Sequence, residues 1–447
     1  MAGRVQLELG RGPQETFFTG DPEYTHFRSV FKKHVNHAIQ SVDVQPNTTI
    51  DFGTSTSFRI PANSGDMIRG MYLKLTLSKI EHPSGDPVGW IESIGHAIID
   101  HVDLLIGDAL VQRLTGDVLQ IQSEHNYTQT KQQALKHLIG KFPDRVAGTP
   151  VSNKAISSHL GAAASDTDLF IELPFYFHGE ESLSIPLCAI TKQEIEVVVK
   201  LRHYQSAPDG HLMVKTADGA HIDFTAGSGT PPHVVKLTLT CDNVFLDAPV
   251  REAIRSARKE YLITQYQRHQ VTLDAGTTEA RIPLAFVNPV KELFVLVRSR
   301  VPTGSSPFDY DNRVTTAGTG NGKTTGAGGR LILYEHLDHM TLDLDGSPVL
   351  NNVTGKAIFL KAVQPYMHHK KTPLIRRFYS YSFALEPEIS THSTGTVNFS
   401  MIKEQDLRLY LNPQPTYVRD VRVYASSFNI LRVHPEGNTE VIFDCQM

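Results

Sequence analysis

Apolar and polar residues alternate along much of this chain. Met71, Leu73, Leu75 and Leu77 fall on one face of an extended segment, and Tyr72, Lys74, Thr76 and Ser78 on the other. The same period recurs at Ile195, Val197, Val199 and Leu201, at Val235, Leu237, Leu239 and Cys241, and at Met340, Leu342 and Leu344. It returns at Leu407, Leu409 and Leu411, and at Val421 and Val423. Successive side chains of a strand point to opposite sides, so this pattern predicts half-buried strands. Many such strands, punctuated by Gly, Pro, Asn and Asp, predict sandwiches or barrels. Asp345-Gly346, directly after one of them, predicts a tight hairpin.

Helical periodicity is rarer. One stretch, Asp247 to Leu262, predicts a helix with Asp247 as N-cap and Pro249 in the first turn. Its apolar face would carry Val250, Ile254, Ala257 and Tyr261. A second, shorter helix is predicted over Gln129 to Ile139. The first lies near mid-chain, with strand-rich sequence on both sides. Two β-domains are therefore expected, residues 1–250 and 251–447, the second entered through that helix. Two Gly-rich stretches, 203–233 and 302–330, are long enough to read as functional or mobile loops.

Charge and cysteine content narrow the function. The 447 residues carry 43 Lys and Arg against 47 Asp and Glu, a net −4, so the chain lacks a basic footprint and direct nucleic-acid contact is not expected. The three cysteines, Cys188, Cys241 and Cys445, are far apart and form no CxxC pair, which argues for free thiols. No window of 18 apolar residues predicts a membrane-spanning helix. Met1 to Gly10 lacks the apolar stretch of a secretory leader, so the N-x-[ST] matches at Asn47, Asn126, Asn352 and Asn398 read as chance.

The candidate chemical motifs lack their structural context. Ala317 to Thr324 fits a relaxed P-loop, but the Gly-rich sequence after it cannot continue as the helix that a phosphate site needs. His34-x-x-His37 and His336-x-x-His339 have neither nearby Cys nor a HExxH frame. No G-x-S-x-G elbow occurs. No catalytic, metal or cofactor residue is assigned, and no cofactor is expected. One local asymmetry stands out between Lys356 and Arg377. Lys356, Lys361, Lys370, Lys371, Arg376 and Arg377 lie there with His368 and His369 and no acidic residue. These six cations are candidate contacts to an anionic partner such as lipid, nucleic acid or an acidic neighbouring subunit, the alternative being a solvated loop. A weaker basic cluster, His26, Arg28 and Lys32-Lys33-His34, has the same ambiguity.

Ordered blocks along almost the whole chain carry a family resemblance. They begin with Phe18-Thr-Gly20-Asp-Pro22, Thr25-His-Phe27 and Phe31-Lys-Lys-His34 with Asn36, where His26 replaces a usual aromatic residue. Trp90 to Gly95, Ile106-Gly107, Thr115-Gly116-Asp117, Leu173-Pro174-Phe175-Tyr-Phe177 and Ile185-Pro186-Leu187 follow. Then come Leu246-Asp247, Glu260 to Ile263 and Asn288-Pro289-Val290-Lys291-Glu292-Leu293. The most specific is Tyr381 to Pro387 with Gly395 and Asn398-Phe399-Ser400; Val423-Tyr424-Ala425 and Asn429 to Arg432 close the series. The chain resembles the major capsid proteins of nucleocytoplasmic large DNA viruses.

That resemblance implies an all-β fold of two consecutive eight-stranded jelly rolls, with short helices in the connections. It implies a structural, non-enzymatic protein that forms homotrimeric, pseudo-hexagonal capsomers tiling an icosahedral shell. Expected partners are the chain itself, neighbouring capsomers, minor capsid and penton proteins, and the internal virion membrane, with assembly in the host cytoplasm. An N-terminal arm, roughly residues 1–30, is expected at the inner face, where it would lock neighbours together. The alternatives are a minor capsid paralogue of the same fold, a glycan-binding β-sandwich lectin and a cupin-type enzyme. Against the lectin, the sole tryptophan, Trp90, belongs to a capsid-like block.

Overall fold

The computed structural model describes residues 2–10, 12–23, 25–29, 31–81, 88–141, 165–206, 210–215, 230–300, 307–308, 310, 335–373, 377–413, 417–443 and 445. The Ala317–Thr324 motif and Arg376 lie outside the described residues, as does most of the two Gly-rich stretches.

Residues 1–36 form a unit of their own. It holds two short helices, α1 (Ala2–Leu9) and α2 (Pro13–Thr19). Pro13 opens α2, where its missing N–H costs nothing, and the Gly12 N–H donates to Glu15 Oε2 at 3.0 Å. Neither helix buries a residue, and Leu7, Leu9, Phe17, Phe18, Phe27 and Phe31 are all exposed.

Residues 37–447 form the second unit, built on sixteen principal strands. The first eight are β1 (His37–Val44), β2 (Ser55–Arg59), β3 (Met67–Leu77), β4 (Ile99–Ile106), β5 (Ala109–Thr115), β6 (Thr167–Leu173), β7 (Ile195–Leu201) and β8 (Val234–Leu246). They make two antiparallel sheets with strand orders β1-β8-β3-β6 and β2-β7-β4-β5. The next eight are β9 (Lys259–Leu273), β10 (Glu279–Pro283), β11 (Pro289–Arg300), β12 (Leu337–Leu344), β13 (Ser347–Leu350), β14 (Phe378–Ser382), β15 (Gln405–Leu411) and β16 (Val418–Val433). Their orders are β9-β16-β11-β14 and β10-β15-β12-β13, the first set with eight added to each number. Each roll pairs its first strand with its last in one layer and faces it with a second, which is jelly-roll topology executed twice; in the second roll the short strands Val397–Asn398 and Thr439–Val441 extend the first layer to six.

The alternating segments become strands with the expected faces. Met71, Leu73, Leu75 and Leu77 are buried, while Tyr72, Lys74 and Thr76 are half-exposed. Ile195 to Leu201 and Leu407 to Leu411 follow suit. Val235 is exposed, because a bulge between Val234 and Lys236 shifts the register there and turns the side chain outward. Asp345 and Gly346 both take positive φ, +47° and +76°, as a two-residue hairpin turn requires.

The helix predicted over Gln129–Ile139 is observed as α4, following α3 (Gly116–His125). The mid-chain helix is shorter than predicted. It runs as α5, Ala248–Ser256, and ends where Ala257 turns extended. Tyr261, read as its last apolar position, instead lies on β9, which pairs without interruption from Lys259–Val433 to Leu273–Arg419. That ladder of backbone hydrogen bonds, and burial of Tyr261 and Ile263, outweigh the helical periodicity.

The hydrophobic core does not divide where the strands do. The larger cluster joins the first roll's interior to Tyr261, Ile263, Phe294, Phe378, Tyr424 and Leu431 of the second. The smaller fills the second sandwich, with Leu293, Val295, Leu407, Leu409, Val421 and Val423. Strands β11 and β16 are consequently buried on both faces along most of their length.

Candidate interaction surfaces and the seam between the rolls

The face of the second roll's β9-β16-β11-β14 sheet that points away from its own sandwich packs on α3. The helix is set there by three consecutive residues. Thr115 Oγ1 accepts from the Val118 N–H at 3.4 Å, capping the helix. A Cβ on Gly116 would stand 2.6 Å from the His96 carbonyl oxygen, so only glycine permits this approach. Asp117 then presents a buried carboxylate to the second roll. It accepts from Tyr424 at 2.9 Å and Tyr310 at 3.1 Å and pairs with Arg422. Burial alone would raise its carboxyl; the charges of Arg422, Arg202 and Arg298 prevail and hold it well below the usual carboxylate range. Nearby, Arg298 pairs with Asp420 at 3.4 Å, both buried.

The basic segment divides between this interior and the surface. Lys361 and Arg377 are buried against Glu335, which also accepts from the Tyr379 hydroxyl. Lys371 crosses to the first roll, bridging Glu124 of α3 at 3.2 Å, while its N–H donates to the His125 carbonyl at 3.1 Å. His369 sits between Glu292 at 2.6 Å and Glu388 at 3.3 Å. Burial would push its imidazole down, but the Glu292 charge and the two carboxylate hydrogen bonds outweigh this and hold it at about 9. His125, 4.7 Å away ring to ring, is driven down to about 3 by burial and by the His369 charge, and its Nδ1 lies 2.9 Å from the Ile121 carbonyl. Lys356 and Lys370 are exposed, Lys370 with Glu388 at 3.0 Å. Of the cations predicted to face outward, Lys361, Lys371 and Arg377 are thus turned inward, because carboxylates distant in sequence meet them there.

His339 stacks on Tyr410 at 4.2 Å and His336 meets Tyr417 edge-on. Among the described residues no group of three or more His, Cys, Asp or Glu could hold a metal ion. All three cysteines are free, with Cys188 and Cys241 buried. The exposed apolar residues of the second roll include Tyr366 and Met367, 80% and 65% exposed, on the helical turn Gln364–His368. Leu385, 74% exposed, is held beside them by His368 Nδ1 at 2.9 Å from its carbonyl oxygen. Exposed large apolar groups gathered in this way mark an interaction surface.

Two jelly rolls in tandem define the double jelly-roll class of viral capsid proteins. Residues 25–247 match the family profile described as the major capsid protein N-terminus, and residues 251–437 match that of the large eukaryotic DNA virus major capsid protein. The chain belongs to this family, that of the major capsid proteins of large DNA viruses and so of virion capsid components. It is 27% identical to the major capsid protein of Pyramimonas orientalis virus, over 97% of each chain. It is 24% identical to that of Phaeocystis pouchetii virus, over 97% of this chain and 98% of the other. Its fold is similar to that of PBCV-1 VP54, with a TM-score of 0.70 at 22% identity over 94% of this chain and 100% of that one. The Faustovirus major capsid protein is similar at a TM-score of 0.70 and 13% identity, over 96% of each.

Proposed function

We propose that this chain assembles as a homotrimer whose six jelly rolls form a pseudo-hexagonal capsomer, and that these capsomers tile an icosahedral shell. The observation that carries the reading is the repeated strand order of two rolls joined side by side in one compact unit. Each chain offers two lobes of like build, so three chains related by a threefold axis give a six-lobed ring. Such closure uses one head-to-tail contact three times. The Tyr366, Met367 and Leu385 surface supplies apolar area suited to it. Residues 1–250, with the N-terminal arm, and 251–447 are the two lobes, and the role is structural rather than enzymatic.

Neighbouring capsomers, minor capsid and penton proteins, and an internal membrane are the further partners in this reading, with assembly in the host cytoplasm. Within the basic segment, exposed Lys356 and Lys370 are the candidates for contact with an anionic partner in this reading. Light scattering of the purified protein tests the trimer: a species at three times 49.7 kDa is expected, stable on dilution. A concentration-independent monomer would remove the reading. Reversing Lys356 and Lys370 to Glu should leave that mass unchanged and reduce lattice formation or vesicle binding; no change in either ends their assignment.

A further inference from the structure

Between the two rolls lies a cleft of about 340 Å³, within the size range of small-ligand sites. Its walls come from both halves of the chain: Gln122, Lys131, Tyr176 and His178 on one side, Thr264 and Lys291 on the other. Several of these polar groups are not satisfied by protein. The Tyr176 hydroxyl, Gln122 Oε1 and His178 Nδ1 are buried with no hydrogen-bond partner among the described residues. Lys291 is 4% exposed and Tyr176 3%. The Lys291 ammonium has three donors; its hydrogen bond is to Thr264 Oγ1 at 3.4 Å, and it stands 4.9 Å from the Phe428 ring centroid. Those contacts leave donors over, and buried polar groups without partners are costly.

The unmet groups also specify what would meet them. Lys291 and Tyr176 call for an acceptor, and Gln122 Oε1 for a donor. Of the three carboxylates lining the cleft, Glu172, Glu180 and Glu388, two are held by protein partners. Glu172 pairs with His178 and accepts from Tyr127, while Glu388 is held by His369 and Lys370. Lys131 also lines the wall, where its charge helps to lower the Glu172 carboxyl. Burial lowers the Lys291 amine to about 8, against the pull of Glu292 and Glu388, as expected for a cation without a close counter-ion.

We propose that this cleft binds a carboxylate that carries an N–H donor beside it, with Lys291 and Tyr176 holding the carboxylate and Gln122 accepting the N–H. That chemistry is presented by a free acidic amino acid and by an acidic residue within a peptide segment.

Calorimetric titration of the full-length protein with L-glutamate, and separately with acetyl-Gly-Glu-Gly-amide, tests it, with inorganic phosphate as the control anion. Saturable binding is expected, weakened about tenfold or more by Lys291→Met, which keeps the stem and removes the charge. Tyr176→Phe, which removes one hydroxyl from a packed ring, should weaken it by a smaller factor and covers the case in which Lys291→Met does not fold. Binding of glutamate alone identifies a metabolite as the source, and binding of the peptide alone a protein segment; both support the proposal. Saturation by neither probe, phosphate binding as tightly as either, or affinity unchanged in the folded variants would overturn it.

Discussion

Asp117 shows how much one side chain does at the seam. Its carboxylate lies on the first roll and its Arg422 and Tyr424 partners on the second, so it exchanges water for contacts that exist only when the rolls are joined. Asp117→Asn leaves buried Arg422 and Arg298 without that charge, and removing one partner of a buried pair costs about 3–5 kcal/mol. The urea midpoint should fall accordingly, with an unchanged slope; a midpoint within error of the parent would refute this role.

His369 makes a prediction of opposite character. Its imidazole is raised from 6.5 to about 9 by Glu292 and Glu388 against burial. A group raised on folding contributes stability that is fully present below its unfolded value and is lost as pH climbs through the folded one. Stability should therefore decline between about pH 6.5 and 9, by on the order of 3 kcal/mol from this group. Glu292→Gln should flatten that decline in urea titrations across the same range, and an equal slope in both proteins would exclude His369 as its source.

At the scale of elements, strands were the legible part of the sequence. Period-two runs such as Met71 to Leu77 and Leu407 to Leu411 have one face in a sandwich and one toward solvent, and such strands announce themselves. Strand β11 does so poorly and β16 only through Val421 and Val423, because their second face packs on the other roll and both faces are buried. The seam was illegible for a related reason. Asp117 and Arg422, or Glu124 and Lys371, meet only through tertiary folding, and spacing along the chain holds no trace of it. The sole hint was that Thr115-Gly116-Asp117 and Val423-Tyr424 both fall in blocks resembling the capsid family. The basic segment misled for the same reason, since absence of acids in sequence is not absence of acids in space.

The N-terminal helices are elements in search of a surface. Neither α1 nor α2 buries an apolar residue, and Phe17, Phe18, Phe27 and Phe31 add a row of exposed rings. Helices this short are marginal by themselves. In the capsid reading they dock on neighbouring capsomers. Deleting residues 1–30 should keep the trimer mass and sharply lower lattice yield in electron micrographs; lattices of normal yield would show that the arm has no part in assembly.

For the whole molecule, the strands count two rolls while the larger core counts one shared interior. Apolar anchors of that core, Tyr261, Ile263, Phe294, Phe378, Tyr424 and Leu431 among them, arrive from the second half. A fragment of residues 1–250 would expose the facing apolar surface and leave Asp117 without Arg422 and Arg298. It is expected to aggregate or bind a hydrophobic dye strongly, and the intact chain to unfold in a single transition by circular dichroism and fluorescence. A soluble fragment with the far-ultraviolet spectrum of a folded β protein would contradict this.

The buried ion pairs of the seam also bear on mechanical failure. Pulling the rolls of one chain apart would expose Asp117, Arg422, Glu124 and Lys371 together, each losing a partner at close range. A boundary between separate chains has no covalent tether and, where it is apolar, yields gradually as water enters. A shell of such subunits under internal pressure would therefore crack along the edges between chains, shedding intact double rolls that remain competent to assemble again.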